Sequence, residues 1–99
     1  MLTFTHNPGG FGTSLQGYVK ASYDQLVEVF GDPTYNETSS DDKVDFEWVL
    51  KFNDGTDATI YNWKDYDGGL YAMSTPDYTW HIGGKNKIAL CNVLELLGI

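Results

Sequence analysis

Residues 78–87 (YTWHIGGKNK) bring aromatic, histidine, glycine and lysine side chains together in one short segment. The pattern predicts a strand, two glycines and the first turn of a helix, whose free amides and positive dipole end favour an anion. Gly83 and Gly84 would let the backbone approach a ligand closely, and Lys85 and Lys87 would add positive charge. A plain turn without a ligand accounts for the same two glycines.

Nearby aromatic side chains offer faces on which a nucleobase stacks. Trp80 lies within the segment, and Tyr61 and Trp63 belong to a neighbouring predicted strand. His81 would donate a hydrogen bond to a phosphate or to a base edge. With the glycines and lysines, these residues form a predicted binding site for a small nucleotide or another phosphorylated ligand. The competing interpretation is that Trp80 alternates with Ile82 and belongs to the core.

The charge of the chain limits the class of partner. Fourteen Asp and Glu residues stand against six Lys and no Arg, and the net charge is −8. Such a charge repels nucleic-acid backbone, and without arginine the chain lacks the side chain that pairs bidentately with phosphate and guanine. Direct DNA or RNA binding is therefore not expected. As an alternative function, Asp41, Asp42, Asp45 and Glu47 predict an acidic protein-interaction face that imitates nucleic acid, although a solvated surface explains them more simply.

Catalytic and metal chemistry are not indicated. Neither His6 nor His81 stands at motif spacing from a nucleophile or from a set of metal ligands. Cys91 is the single cysteine, which excludes an internal disulfide, and its apolar neighbours predict that it packs in the core. We therefore expect a binding protein without enzymatic activity, metal or cofactor.

Two helices and an antiparallel sheet must position these residues. Ser22 and Gln25 form the pattern of a capping box at the start of the first helix, and Gly31 ends it. The last helix is predicted from about Asn86 to Leu97. Predicted strands cover residues 15–19, 44–52, 56–61, 70–73 and 78–82. The pattern predicts a single domain over residues 1–99, an α+β fold with an antiparallel sheet of about four to five strands and two helices packed on one face.

The central hairpin has a register that the sequence favours. Residues 53–55 (NDG) predict a three-residue loop, which pairs Lys51 with Asp57 and so sets opposite charges together. A two-residue loop would move Tyr61 and Trp63 into the core, because a slip of one residue inverts every side chain. The first register is preferred, and it leaves both aromatic residues on the face opposite the main core.

Several blocks of this sequence are distinctive as a set. They are QGYV (16–19), SYDQLV (22–27), FGDP (30–33), KV (43–44), EW (47–48), DGT (54–56), ATIY (58–61), WK (63–64) and WHIGG (80–84). Together they resemble small proteins encoded by bacteriophages, and the likeness covers most of the chain. The resemblance implies an anti-defence protein. Such a protein either sequesters a small nucleotide immune signal, as an oligomeric sponge, or inhibits a host nuclease or CRISPR complex. A structural component of the virion or of its assembly is the third interpretation.

The expected location is the cytoplasm, which for a phage-encoded protein is that of the host cell. No run of residues approaches the roughly 20 apolar positions that a membrane span needs. Residues 1–6 (MLTFTH) lack the basic start and apolar stretch of a signal peptide. No membrane partner is expected.

Overall fold

The computed structural model of the chain describes residues 1–9 and 12–99. Its elements are β1 (Phe4–His6), β2 (Ser14–Ala21), α1 (Tyr23–Phe30), β3 (Glu47–Phe52), β4 (Asp57–Tyr61), α2 (Leu70–Ser74), β5 (Tyr78–Gly84) and α3 (Ile88–Leu97). The five strands of the described part form one antiparallel sheet in the order β1-β3-β4-β5-β2. The α+β prediction is confirmed, with three helices in place of the two expected.

The predicted capping box begins α1. The amide of Gln25 donates to Ser22 Oγ at 3.0 Å, and the amide of Ser22 donates to Gln25 Oε1 at 2.8 Å. At the other end the amide of Gly31 donates to the Val27 carbonyl at 2.8 Å, in a backbone conformation (φ 80°) that favours glycine. The helix therefore has the bounds that its own sequence specifies.

The hairpin of β3 and β4 has the predicted register. Lys51 lies opposite Asp57, and Glu47 lies opposite Tyr61. The Lys51 ammonium lies 3.4 Å from the Asp57 carboxylate, and the loop closes through Gly55 at φ 87°. Alternate residues of both strands therefore enter the core, while Glu47 and Tyr61 lie on the opposite side of the sheet, called here the open face.

One hydrophobic cluster joins the sheet to the helices. Trp48 and Trp80 are fully buried and meet edge to face with ring centroids 5.5 Å apart. Both indole N–H groups are satisfied, by the carbonyls of Gly31 and Ala21 respectively, each at 2.9 Å. The helices contribute Leu26, Phe30, Ala72, Ala89 and Val93.

Some local predictions were wrong. Residues 70–73 form α2, not a strand, because Asp67 begins a helix by accepting the amides of Gly69 and Tyr71 at 3.0 and 2.9 Å. The strand β1 was not predicted, and α3 begins at Ile88, two residues later than expected. Cys91 is exposed, since the buried side of α3 runs through Ala89 and Val93.

None of the helices in the described part of the chain is long and apolar enough to cross a bilayer.

The described residues between β1 and β2, 7–9 and 12–13, include contacts with the open face. These two strands follow each other in the chain yet form opposite edges of the sheet. The amide of Gly9 donates to the Tyr35 hydroxyl at 2.9 Å, and Thr13 packs beside Gly83. Val49 and Thr59, on the same face, are accordingly only 5% and 4% exposed. These contacts thus cover one half of the open face and leave the other half free.

Gly84 occupies a place where the fold has no room for a side chain, since a Cβ there would overlap the Cβ of Ala89 on α3. We expect Gly84→Ala to lower the free energy of unfolding by about 1–3 kcal/mol, because overpacking pushes α3 away from the sheet. Urea denaturation measures the loss. In Gly84→Ala/Ala89→Gly the loss should be smaller than the sum of the two single losses, because the second glycine restores the space; strict additivity would contradict this account.

Candidate functional site

Three of the predicted binding residues meet on the uncovered half of the open face. The register aligns Tyr61 of β4 with His81 of β5, and His81 with Tyr18 of β2. Trp63 follows β4 and lies against the same rings. We call Tyr18, Tyr61, Trp63 and His81 the aromatic cluster. Tyr18 is 54% exposed and Trp63 is 38% exposed, so the cluster presents ring surface to solvent.

The rings of the aromatic cluster are in mutual contact around His81. Its ring centroid lies 4.9 Å from that of Tyr18, 5.4 Å from that of Tyr61 and 6.1 Å from that of Trp63. The Tyr61 and His81 rings are inclined by only 35°, whereas Tyr18 meets His81 edge on, at 78°. Such packing holds the rings in place before a ligand arrives, which lowers the entropy cost of binding.

Burial sets the protonation of His81. Desolvation lowers the pKa of His81 below its ordinary value, and the negative charge of Asp65 opposes this only in part. The ring is therefore neutral at physiological pH. Its Nδ1 is buried and has no hydrogen-bond partner among the described residues. Because an unpaired buried N–H costs more than an unpaired lone pair, we expect Nε2 to carry the proton.

Two lysines border the cluster at Trp63. The ammonium nitrogens of Lys43 and Lys64 lie 5.9 and 5.5 Å from the centroid of the Trp63 ring. Lys64 has φ 59°, a left-handed conformation that is costly for a residue with a side chain. Its amide donates to the Lys43 carbonyl at 2.7 Å, which ties the two lysine-bearing segments together. Lys43 also lies 3.9 Å from the Asp41 carboxylate, so Lys64 is the ammonium group beside Trp63 that has no ion pair among the described residues.

Buried Asn62 holds both of these segments. Its Oδ1 accepts the amides of Asp45 and Phe46 at 2.8 and 2.9 Å. Its Nδ2 donates to the carboxylates of Asp45 and Asp65 at 2.8 and 3.2 Å. Every hydrogen-bonding position of the amide is therefore used. Since Asn62 directly precedes Trp63, the network positions the exposed indole.

The other aromatic residue of the prediction lies elsewhere. Trp80 is fully buried on the core side of β5, so its predicted role as a stacking surface is wrong. The two glycines serve packing: a Cβ on Gly83 would overlap Thr59 Oγ1, and one on Gly84 would overlap Ala89. Strand alternation places Trp80 and Gly84 on the core side, whereas Gly83 lies on the open face beside Thr59. The sequence signal attributed to a ligand therefore has a structural cause.

The lysines of the predicted helix entrance are engaged. Lys85 lies 3.0 Å from the Asp57 carboxylate, and hydrogen bonding to Lys85 lowers the pKa of Asp57. Lys87 contacts the carbonyl of Gln16. The entrance also lies away from the cluster, because four residues of strand separate His81 from Lys85 by roughly 13 Å.

The expected free amides at this entrance are also partly paired. Ile88 N donates to Asn86 Oδ1 at 2.9 Å, and Ala89 N donates to the Asn86 carbonyl at 3.3 Å. A cavity of about 260 Å³ beside them is lined by Asp54 and Asp57 as well as Lys85. The acids cancel the local positive charge on which the predicted anion site depended.

Three of the four acids of the alternative prediction, Asp41, Asp45 and Glu47, line one cavity of about 430 Å³. Asp41 and Asp42 are exposed in a loop, where the Ser39 hydroxyl lowers the pKa of Asp41. Asp45 is 3% exposed and accepts hydrogen bonds from Thr38 and Asn62. Glu47 is half-buried on the open face. An acidic face built from these residues would therefore be presented by Asp41, Asp42 and in part Glu47, while the carboxylate of Asp45 is engaged in hydrogen bonds.

Sequence reasoning missed Tyr18, Lys43 and Lys64. Alternation with buried Val19 and Ala21 was a signal that Tyr18 points away from the core. The pairing of β2 with β5, which brings Tyr18 to His81, joins residues far apart in the chain and has no local signal. The lysines reach Trp63 through loop contacts of the same long-range kind.

No protein-family model, curated protein or solved structure matches this chain.

Asn62→Ala should destabilise the fold by about 2–4 kcal/mol, because it leaves two buried amides and the Asp45 carboxylate without their partner. Chemical denaturation followed by circular dichroism measures the change. Exposed Asn36 provides the control, and Asn36→Ala should change the free energy of unfolding by less than about 0.5 kcal/mol. Equal effects of the two substitutions would contradict the role assigned to Asn62.

The free energy of unfolding should decrease as the pH is lowered, because burial holds His81 neutral in the folded protein. The pKa of His81 is lowered in the folded protein and returns to its ordinary value on unfolding. Between these two pKa values the unfolded chain binds more protons than the folded one, so acidification favours unfolding. His81→Phe removes this contribution, while Asp65, Glu47 and the tyrosines remain in both proteins. The melting temperature of the native chain relative to the variant should therefore decrease from about pH 7.5 to about pH 5.5. A constant difference would show that His81 is not held neutral by burial.

Proposed function

We propose that this protein is a non-catalytic binding protein that holds a small nucleotide, with the base stacked on the aromatic cluster. The supporting observation is the group of rings around His81, exposed on a sheet face and bordered by two ammonium groups at Trp63. Aromatic side chains on an open sheet are a recurring platform for bases, and stacking contributes about 1–3 kcal/mol per base.

The positions of the lysines support a nucleotide over an uncharged ring compound. Lys43 and Lys64 hold their ammonium groups over the Trp63 ring, 5.9 and 5.5 Å from its centroid, where they would reach a phosphate attached to a base stacked on the neighbouring rings. Their positive charges are local, since the net charge of the chain is −8. A short ligand with one or a few phosphates fits this distribution better than a polymer, which would extend over acidic surface.

A holding role without chemistry is supported by the surroundings of the histidines. His6 bonds to the Thr34 hydroxyl and the Phe30 carbonyl at 2.6 and 2.7 Å, where it connects β1 to the end of α1. His81 is surrounded by rings and forms no hydrogen bond with a hydroxyl or thiol among the described residues. Sequestration of a nucleotide signal, as in a sponge, is the activity that we propose for such a site.

Tryptophan fluorescence gives a direct test. Trp48 and Trp80 are fully buried, so a stacked ligand quenches chiefly Trp63. A panel of nucleoside monophosphates, cyclic mono-, di- and trinucleotides and ADP-ribose should contain members that quench the emission and raise the melting temperature. At a ligand concentration of about 100 times Kd, binding adds about 2.7 kcal/mol to stability.

Matched variants locate the site. Trp63→Phe should lose the quenching but keep the thermal shift, whereas Trp63→Ala should lose both. Lys64→Gln should weaken binding, and Lys85→Gln, which removes an equal charge at the helix entrance, should not. If no panel member quenches or stabilises the native protein, or if Lys85→Gln has the larger effect, the proposal is wrong.

A further inference from the structure

Glu47 extends the row of the aromatic cluster by one strand. It lies opposite Tyr61 on β4, and on its other side it forms a bridge with Tyr35. Because residues directly opposite in antiparallel strands point to the same face, the row across the sheet is Tyr35, Glu47, Tyr61, His81 and Tyr18. A carboxylate thus stands in line with the proposed stacking surface.

The carboxylate of Glu47 has no partner in the described structure. All three ion pairs of the described residues involve other acids, Asp41 and Asp57, and no side-chain hydrogen bond reaches Glu47. Burial without a compensating partner raises the pKa of Glu47 above its ordinary value. A half-buried anion without donors is costly, and a ligand that supplies hydrogen-bond donors would remove that cost.

The spacing of the row suits a base that stacks and reaches Glu47 at once. Neighbouring strands lie about 4.8 Å apart, so Glu47 and His81 are separated by roughly 10 Å across Tyr61. A purine stacked over Tyr61 and His81 spans much of that distance and can direct its Watson–Crick edge at the carboxylate.

We propose that Glu47 selects guanine, by accepting hydrogen bonds from guanine N1–H and from its N2 amino group; this inference rests on the proposed nucleotide binding. Guanine presents two adjacent donors, which match the two oxygens of a carboxylate. Adenine presents one donor beside an acceptor, and inosine lacks the N2 amino group. Among the common bases, guanine is therefore the best complement to an unpaired carboxylate.

GMP, IMP and AMP test guanine selection on the native protein. GMP should quench Trp63 with a Kd lower than that of AMP by roughly 5- to 150-fold, the range of one good bidentate contact to a base. IMP differs from GMP only in the N2 amino group and should fall between the two. This comparison needs no variant and is unaffected by changes in folding.

Glu47→Gln sharpens the test. A carboxamide pairs with adenine through N6–H and N1, and equally with guanine through N1–H and O6, so the variant should lose the native preference and bind AMP and GMP with similar Kd values. Glu28→Gln removes the same charge from an exposed position on α1 and should retain the native preference for GMP. Thermal denaturation of both variants verifies that they fold.

The outcomes separate the two proposals. Equal Kd values for GMP, IMP and AMP, with binding still abolished by Trp63→Ala, would overturn guanine selection and leave nucleotide binding intact. A Glu47→Gln variant that keeps the native preference for GMP would also overturn guanine selection and leave nucleotide binding intact. If none of the three nucleotides quenches but other members of the panel do, guanine selection also fails. The absence of binding for the whole panel would overturn both.

Discussion

The pairing register of β3 with β4 determines which side chains enter the core and which lie on the open face. The loop at residues 53–55 closes with Gly55 at φ 87°, and Thr56 N donates to Asp54 Oδ1 at 2.9 Å. This geometry sets Lys51 opposite Asp57 and places Trp48 and Ile60 in the core. A slip of one residue would bury Tyr61 and expose the aliphatic side chains, so the core and the aromatic cluster depend on the same turn.

The order of the strands then divides the open face into two halves. The strands β1 and β2 are consecutive in the chain but form opposite edges of the sheet. Of the described residues between them, Asn7 donates its amide to the Val49 carbonyl and Thr13 packs beside Gly83, and Val49 and Thr59 on this half are buried. The uncovered half is where Tyr61, His81 and Tyr18 align. An uncovered group of rings on a small domain is costly to maintain in water, which is the physical reason for assigning it a binding role.

Features with local causes were predictable from the sequence. The capping box of α1 and the hairpin register follow from residues within a few positions of each other, and both are confirmed. The short apolar run at residues 70–73 is compatible with a strand or a helix. The hydrogen bond from the Tyr71 amide to the Asp67 carboxylate favours the helix. For the site, Tyr61 and Trp63 were placed on the correct face by the hairpin alone. Tyr18 and the two lysines were missed because only long-range pairing brings them there.

The glycines of β5 show why a binding pattern in sequence can have another origin. Gly83 and Gly84 precede a helix beside lysines, which resembles an anion site, yet each glycine is required by a packing contact on a different face of the sheet. What distinguishes a ligand site from such packing is an unsatisfied group. Lys85 is neutralised by Asp57, whereas the Glu47 carboxylate has no partner among the described residues and the Tyr18 ring is 54% exposed.

Charge distribution reconciles an acidic protein with an anionic ligand. At physiological ionic strength the Debye length is about 8 Å, so an exposed charge acts mainly on its near neighbours. A mononucleotide at Trp63 would be influenced chiefly by Lys43 and Lys64, within 6 Å of that ring's centroid. A longer chain would pass the acids of residues 37–47, where each phosphate meets a carboxylate. Under the proposed function, the same surface would accept a short nucleotide and repel a polymer, and ligand size would follow from where the few lysines lie.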